Sequence, residues 1–407
     1  MGEKMKTLDL RNKINWVLLS ALLFSAFLVP NIRLINHFAK IHVTDILIPF
    51  FLAAIFMNYN PKAFPAAKNF IIAICLMTFI AFISLLVNRH LFIFRDDFEV
   101  MKFVKLLIVF LFVMVSVQGK DFIKMLRIIF ILVVIFNFLH YTNLFDFNEH
   151  ILKYYGQEIQ VDTFGLNSLG QPDTKRIIGT VGNPNNNAIL FLFFTIFFFP
   201  ELKSTWKEKI YFLLAALGVF ACQSRTGLVA FIAIFILGSV VKKYNLKAAG
   251  LYLLGFVGMF LGLMLLGNVY LNSLASNLMK QHSVRGRLET WKMLWEMIKQ
   301  KPIIGYSPSK DYFDENNIYS ESEYFLFAWR FGFLGLFAYL YMTFSGFYAG
   351  FKARLTNNGF RFAAFSIVII ITAFTNNPLS DPMIFMMYAF SAGLFFSDRL
   401  KVREVTV

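Results

Sequence analysis

Residues 220–231 read FACQSRTGLVAF, and they set Arg225 between two apolar runs, IYFLLAALGVFA before it and GLVAFIAIFILG after it. A guanidinium at the centre of a bilayer costs roughly 3 kcal/mol or more. A continuous span through Arg225 is therefore disfavoured. Ser224, Arg225, Thr226 and Gly227 instead read as a tight connection between two helices, with the arginine at the tip of the hairpin. The remaining question is where that tip sits along the membrane normal.

The rest of the chain supports a membrane setting. Of 407 residues, 58% are hydrophobic, 52 are Phe and only 15% are charged, against about 25% charged in soluble domains. Apolar stretches long enough for tilted helices recur along the whole length, too continuous for the alternating strands of an outer-membrane barrel. The fold class this implies is all-α, a polytopic helical membrane protein with about twelve transmembrane helices. The first apolar run, Ile14 to Val29, follows a basic start and lacks a small-x-small cleavage site, so it reads as a retained span. Cys75 and Cys222 both fall inside predicted spans, where cysteine behaves as a small apolar residue.

Breaks at Pro, Gly, Asn and charge clusters give spans at about 14–30, 43–58, 69–87, 100–117, 122–142, 186–200, 210–224, 227–241, 249–271, 324–349, 360–376 and 382–397. With both termini cytoplasmic, every connector on that side is basic, as the positive-inside rule asks. Nearly all of the net charge of +15 then lies on the cytoplasmic face, so the basic balance is an orientation signal rather than a sign of nucleic-acid binding. No separate soluble domain or internal repeat is evident, and residues 1–407 read as a single integral membrane domain. Two long segments, 143–185 and 272–323, fall on the outer, periplasmic side, and long loops on a helical scaffold usually carry function. Arg225 sits at that same face. A snorkelling arginine at a helix end is the plain alternative there.

The first long loop ends in RIIGTVGNPNNNAILF, where Arg176 precedes an Asn183-Pro184-Asn185 turn that feeds a span. Asn183 and Asn185 can cap that helix start, and free amides there attract anions; a simple turn explains the same residues. In the second loop, Leu288, Trp291, Leu294, Trp295 and Ile298 recur at helical spacing and predict an amphipathic helix over 284–300, lying in the outer interface and ending before Pro302. Arg285 and Arg287 at its start oppose the helix dipole unless an anion sits between them. The loop closes on Glu321 and Glu323, followed by Tyr324. Either carboxylate could take a proton from a hydroxyl, although solvated loop acids are common. Lys102 and Lys105 share one face of the fourth span near the outer leaflet and could meet lipid phosphates. The chain has no Cys/His ligand spacing, Walker loop or dinucleotide fingerprint, so no metal or cofactor is expected, and any substrate must arrive already activated.

The order of these motifs resembles the O-antigen polymerase and O-antigen ligase superfamily, bacterial inner-membrane enzymes that transfer glycans from undecaprenyl diphosphate on the periplasmic face. The matching pieces are Asn183 to Asn185, Ser224-Arg225, Arg287 to Trp291, Pro302 to Gly305, and Glu321 to Tyr324 followed by Gly332 and Gly335. The resemblance implies that Arg225 and Arg287 contact the diphosphate, helped by Arg176, Arg285, Lys102 and Lys105, with Asn183, Asn185 and Tyr324 in the binding region. Glu321, with Glu323 as substitute, would deprotonate the attacking sugar hydroxyl in a metal-independent, inverting transfer. Ligases of this family typically carry His-Asn where this chain has Glu321-Ser322, which tilts the expectation to a polymerase of lipid-linked repeat units. Donor and acceptor glycans on undecaprenyl diphosphate, membrane lipids and a chain-length regulator are the partners implied. The alternatives are a ligase that moves finished glycan to a lipid A core, and, of another class, a lipid-glycan flippase or transporter. Transporters gather charge near the midplane, whereas these spans have almost uncharged centres.

Overall fold

The computed structural model describes residues 2–30, 42–59, 61, 63–89, 94–156, 176–201, 204–241, 281–309, 318 and 320–405. Among the described residues the regular structure is helical, with no strand. The α-helices are α1 (Gly2–Leu28), α2 (Val43–Met57), α3 (Ala63–Val87), α4 (Phe94–Ser116), α5 (Gly119–Thr142), the single turn α6 (Phe147–His150), α7 (Pro184–Phe197), α8 (Trp206–Ala221), α9 (Arg225–Val241), α10 (Gln281–Gln300), α11 (Glu323–Lys352), α12 (Asn357–Thr372) and α13 (Pro382–Val405). Every predicted span that falls on described residues coincides with one of these helices, and the protein is an all-α polytopic membrane protein. The predicted span at 249–271 lies outside the described residues.

Segments Ala67–Val87, Gly119–Thr142 and Glu323–Lys352 are long and apolar enough to cross a bilayer on their own. α7 has 14 residues, about 21 Å of helix against a hydrocarbon core of about 30 Å. It does not need to face lipid, because every residue from Asn187 to Phe197 is buried and α8, α9, α12 and α13 pack around it. Phe27 of α1 and Phe130 of α5 meet Phe194 with ring centroids 5.6 and 4.9 Å apart, and Phe193 meets Phe365 of α12 at 5.2 Å. Lipid tails are as apolar as these rings, so close packing holds the bundle rather than exclusion of water. Each well-placed ring pair adds about 0.5–1.5 kcal/mol.

The helix starts are set by local chemistry. Asn183 caps α7 by accepting from the amides of Asn185 and Asn186, and Pro184 follows at the first helical position. His42 and Asp45 form a reciprocal capping box at the start of α2, and Thr205 and Glu208 form one at α8.

α11 is broken within its length. Gly332 has φ 66° and ψ −171°, a region open essentially to glycine alone. The segment Lys301–Ser307 fills the break. The amides of Tyr306 and Ser307 donate to the carbonyls of Trp329 and Arg330 at 3.0 and 2.7 Å, and the amide of Phe333 donates to the Pro302 carbonyl at 2.7 Å. Backbone groups freed at such a break must find partners inside the protein. α3 clamps the splice: Ser84 Oγ donates to the carbonyls of Ile304 and Arg330, and Asn88 Nδ2 donates to that of Gly305. The approach is so close that a Cβ on Gly332 would lie 2.1 Å from the Ile303 carbonyl oxygen. Pro302 to Gly305 and Gly332, separate motifs in the sequence, are two halves of one joint.

The predicted amphipathic helix at 284–300 is α10. Its apolar stripe docks on α11: Leu294 and Ile298 are buried with Leu326, Ala328 and Trp329, and Trp291 stacks on Phe325 at 5.4 Å. Leu288 and Trp295 remain exposed along its edge.

Candidate functional site

The chemistry gathers at one end of the bundle. There the C-terminal ends of α3, α5, α8 and α12 meet the N-terminal ends of α2, α4, α7, α9, α11 and α13, cross-linked by polar side chains. Thr226 of α9 accepts from Thr375 and Asn376 just after α12, both at 3.2 Å. Asn186 of α7 donates to Asp381, which caps α13 by accepting from the amides of Met383 and Ile384. Lys102 of α4 donates to the Ser380 carbonyl at 3.1 Å.

Arg176 enters this network as the chain approaches α7. Its Nε donates to the Cys222 carbonyl at the end of α8 at 2.9 Å, and its terminal nitrogen donates to Asn185 Oδ1 at 3.0 Å. The strand of loop behind it is pinned by His140. The Ile178 amide donates to His140 Nε2, so Nε2 accepts and Nδ1 carries the proton it shares with Asn148 Oδ1 at 2.8 Å. Asn187 closes the other side, donating to Asn137 Oδ1 and the Ile177 carbonyl. Asn183 and Asn185 thus act in caps and in positioning Arg176.

Arg225 is the first residue of α9, after Gln223 in the left-handed conformation with φ 50°. It is half-buried and has no hydrogen bond or ion pair among the described residues. Arg287, on α10, pairs with Glu321. Burial pushes the Arg176 guanidinium down to about 10, and the charges of Arg225 and Arg287 act in the same direction, so both cations lie near it. The structure therefore brings Arg176, Arg225 and Arg287 together from three separate segments, with Glu321 paired to one of them. The side chain of Arg285 lies outside the described residues.

The other sequence candidates have different surroundings. Glu323 is fully buried, and its carboxylate accepts from Tyr339 Oη at 3.0 Å, the Leu379 amide at 3.1 Å and Ser380 Oγ at 3.2 Å. It braces α11 against the 373–381 connection, whereas the Glu321 side chain is 41% exposed. Tyr324 turns inward and donates to the Ile370 carbonyl at 2.7 Å. Lys102 is paired with Glu99 at 2.8 Å and Lys105 with Asp45 at 2.6 Å, so both lysines are committed within the bundle rather than presented to a lipid surface.

Sequence reading missed Glu99, Arg330, Ser380 and Asp381. Arg330 lies 3.6 Å from Glu99, and with Lys102 and Ser380 these two line a cavity of about 20 Å³, room for about one water. Asp381 is half-buried, and desolvation pushes its carboxyl above the usual range. Arg330 had a legible signal: an arginine in the apolar run FLFAWRFGFLGLF raises the same question as Arg225.

Residues 210–340 match the family model described as O-antigen ligase. No curated protein matches the chain. The match runs from α8 into α11 and includes Arg225, Arg287, Glu321 and the joint at Gly332; Arg176 and the Asn183 turn precede it. It bears out the resemblance to the O-antigen polymerase and ligase superfamily. The family implies a glycosyltransferase-like enzyme acting on lipid-linked glycans in a bacterial membrane.

Proposed function

From the premise of an O-antigen polymerase and ligase superfamily chain, we propose that this protein polymerises oligosaccharide repeat units carried on undecaprenyl diphosphate. The reaction takes place at the periplasmic face of the inner membrane. One observation carries the reading: the charges of Arg225 and Arg287, from two separate segments, both act on Arg176 from a third at one end of the bundle, and Arg225 has no carboxylate partner among the described residues. Like charges held together are costly unless an anion joins them, and planar guanidinium forks suit phosphate oxygens.

In the proposed step, the acceptor hydroxyl oxygen attacks the anomeric carbon of the donor while the bond to the diphosphate breaks, and the electron pair leaves with the diphosphate. Arg225 and Arg287, with Arg176 behind them, stabilise the charge that develops there. The hydroxyl proton passes to Glu321, and a single displacement inverts the anomeric centre. The ion pair with Arg287 holds the Glu321 carboxylate beside a guanidinium that would meet the diphosphate, so proton acceptor and leaving-group stabiliser are placed together. Glu321-Ser322 in place of His-Asn supports polymerisation over ligation.

The test is a reconstituted full-length protein given lipid-linked repeats alone. A polymerase lengthens the lipid-linked chains; a ligase, the activity in the matching family's description, leaves them unchanged until a lipid A core acceptor is added. Arg225→Ala and Arg287→Ala each lower the rate by about a hundredfold. Normal insertion with full-length polymer from both variants would overturn the assignment.

A further inference from the structure

The opposite end of the bundle holds a second cationic feature. The first turns of α3, the last turns of α11 and the end of α13 enclose a cavity of about 300 Å³, bordered by Lys68, Lys352 and Arg399. On α3 this is the end away from Ser84 and Asn88, which clamp the α11 joint. On α11 and α13 it is the end away from Glu323 and Asp381. At 1.5 Å per residue, Lys68 to Ser84 alone separates the two ends by about 24 Å.

Among the described residues no acidic residue lines this cavity. Lys68 and Lys352 have no ion pair among the described residues, and the Arg399 guanidinium lies over the Phe395 ring at 4.8 Å. The floor is apolar: Phe70 and Phe396 are buried, with ring centroids 5.9 Å apart. Two exposed apolar stripes lead from the cavity toward the middle of the bundle. Ile72, Leu76 and Phe79 follow Lys68 at helical spacing on α3, and Phe344, Tyr341 and Phe337 precede Tyr348 on α11. Three cations over an apolar floor, opening onto two lipid-facing stripes, form a site with a polar head and a hydrocarbon bed.

We infer that this cavity binds the phosphate headgroup of an anionic phospholipid, with its acyl chains along the two stripes. A free inorganic anion would use the same cations but gains nothing from the stripes. Basic pockets between helices are a recurrent form of lipid headgroup site.

The experiment is native mass spectrometry of the full-length protein in mild detergent, titrated with phosphatidylglycerol and with phosphatidylcholine. Phosphatidylglycerol is expected to bind preferentially, and each of Lys68→Gln and Lys352→Gln lowers that preference by about fivefold. Lys68→Arg with Lys352→Arg retains it, and Lys124→Gln, an exposed basic residue elsewhere, leaves it unchanged. Equal binding of the two lipids, or an unchanged preference in both glutamine variants, overturns the inference. So does displacement of phosphatidylglycerol by equimolar inorganic phosphate, which would mark a site for the free anion.

Discussion

Glu321 and Glu323 stand one residue apart and belong to different kinds of place. Glu323 sits in a closed lattice in which charges and polar groups are matched inside the protein: its own three donors, Lys102 with Glu99, Lys105 with Asp45, and Asn186 with Asp381. Glu321 sits at the edge of a half-exposed shelf, paired with Arg287, where the charges of Arg225 and Arg287 both act on Arg176. Burial supplies the reason for the contrast. A buried charge without a partner is strongly destabilising, so the closed lattice can keep only what it satisfies, whereas a half-exposed shelf can hold an excess until a ligand neutralises it.

By that contrast, substitutions in the lattice cost stability and substitutions on the shelf cost activity. The largest effect belongs to the joint: Gly332→Ala forces a Cβ against the Ile303 carbonyl at a φ closed to alanine, a loss of roughly 4 kcal/mol or more, read as failure to purify a monodisperse protein. Next comes a pH effect at His42, which caps α2 beside Asp45. Burial lowers its pKa from 6.5 to about 4, with Lys105 acting in the same direction. Between these values the unfolded chain binds the proton and the folded one does not, so stability is fully present above pH 6.5 and is lost as pH falls toward 4. The loss reaches about 3 kcal/mol. His42→Asn preserves a good cap, and its melting temperature should change less than that of the parent over this window.

On the shelf, Glu321→Gln lowers the transfer rate by about a hundredfold or more with an unchanged melting temperature. Its neighbour gives the reverse result: Glu323→Gln sets an amide NH2 against donors that need an acceptor and costs about 2 kcal/mol of stability. A Glu323→Gln protein that melts normally but transfers no sugar would erase the distinction between the two regions. Ser84→Ala, which removes one clamp on the joint, is the mildest change at about 1 kcal/mol.

The helices were legible because lipid enforces long apolar runs with polar breaks. α10, expected over 284–300, runs Gln281–Gln300, and its Trp291, Leu294 and Ile298 spacing marks the face that docks. The joint was not legible as a joint, since Gly332 lies in an unbroken apolar run and its conformation depends on a segment some thirty residues earlier in the chain. The partners of the α4 lysines, Asp45 and the Ser380 carbonyl, are not legible from their spacing because they come from distant parts of the sequence. Glu321 and Glu323 could not be told apart from spacing. Which one is buried depends on where α11 begins, and that start is set by the Glu323 amide donating to the carbonyls of Ala373 and Asn376 beyond α12.

The splice at Gly332 also constrains how the chain is assembled. Hydropathy presents Glu323–Lys352 as one uninterrupted segment, yet its break at Gly332 is satisfied only with Pro302–Ser307, synthesised just before it, seated in the gap. Ser84 and Asn88 on α3 have been waiting in the membrane since much earlier in translation. The joint therefore cannot be complete before α3, Pro302–Ser307 and α11 have all been made, and because Pro302–Ser307 directly follows α10, the same joint ties Arg287's helix to the bundle.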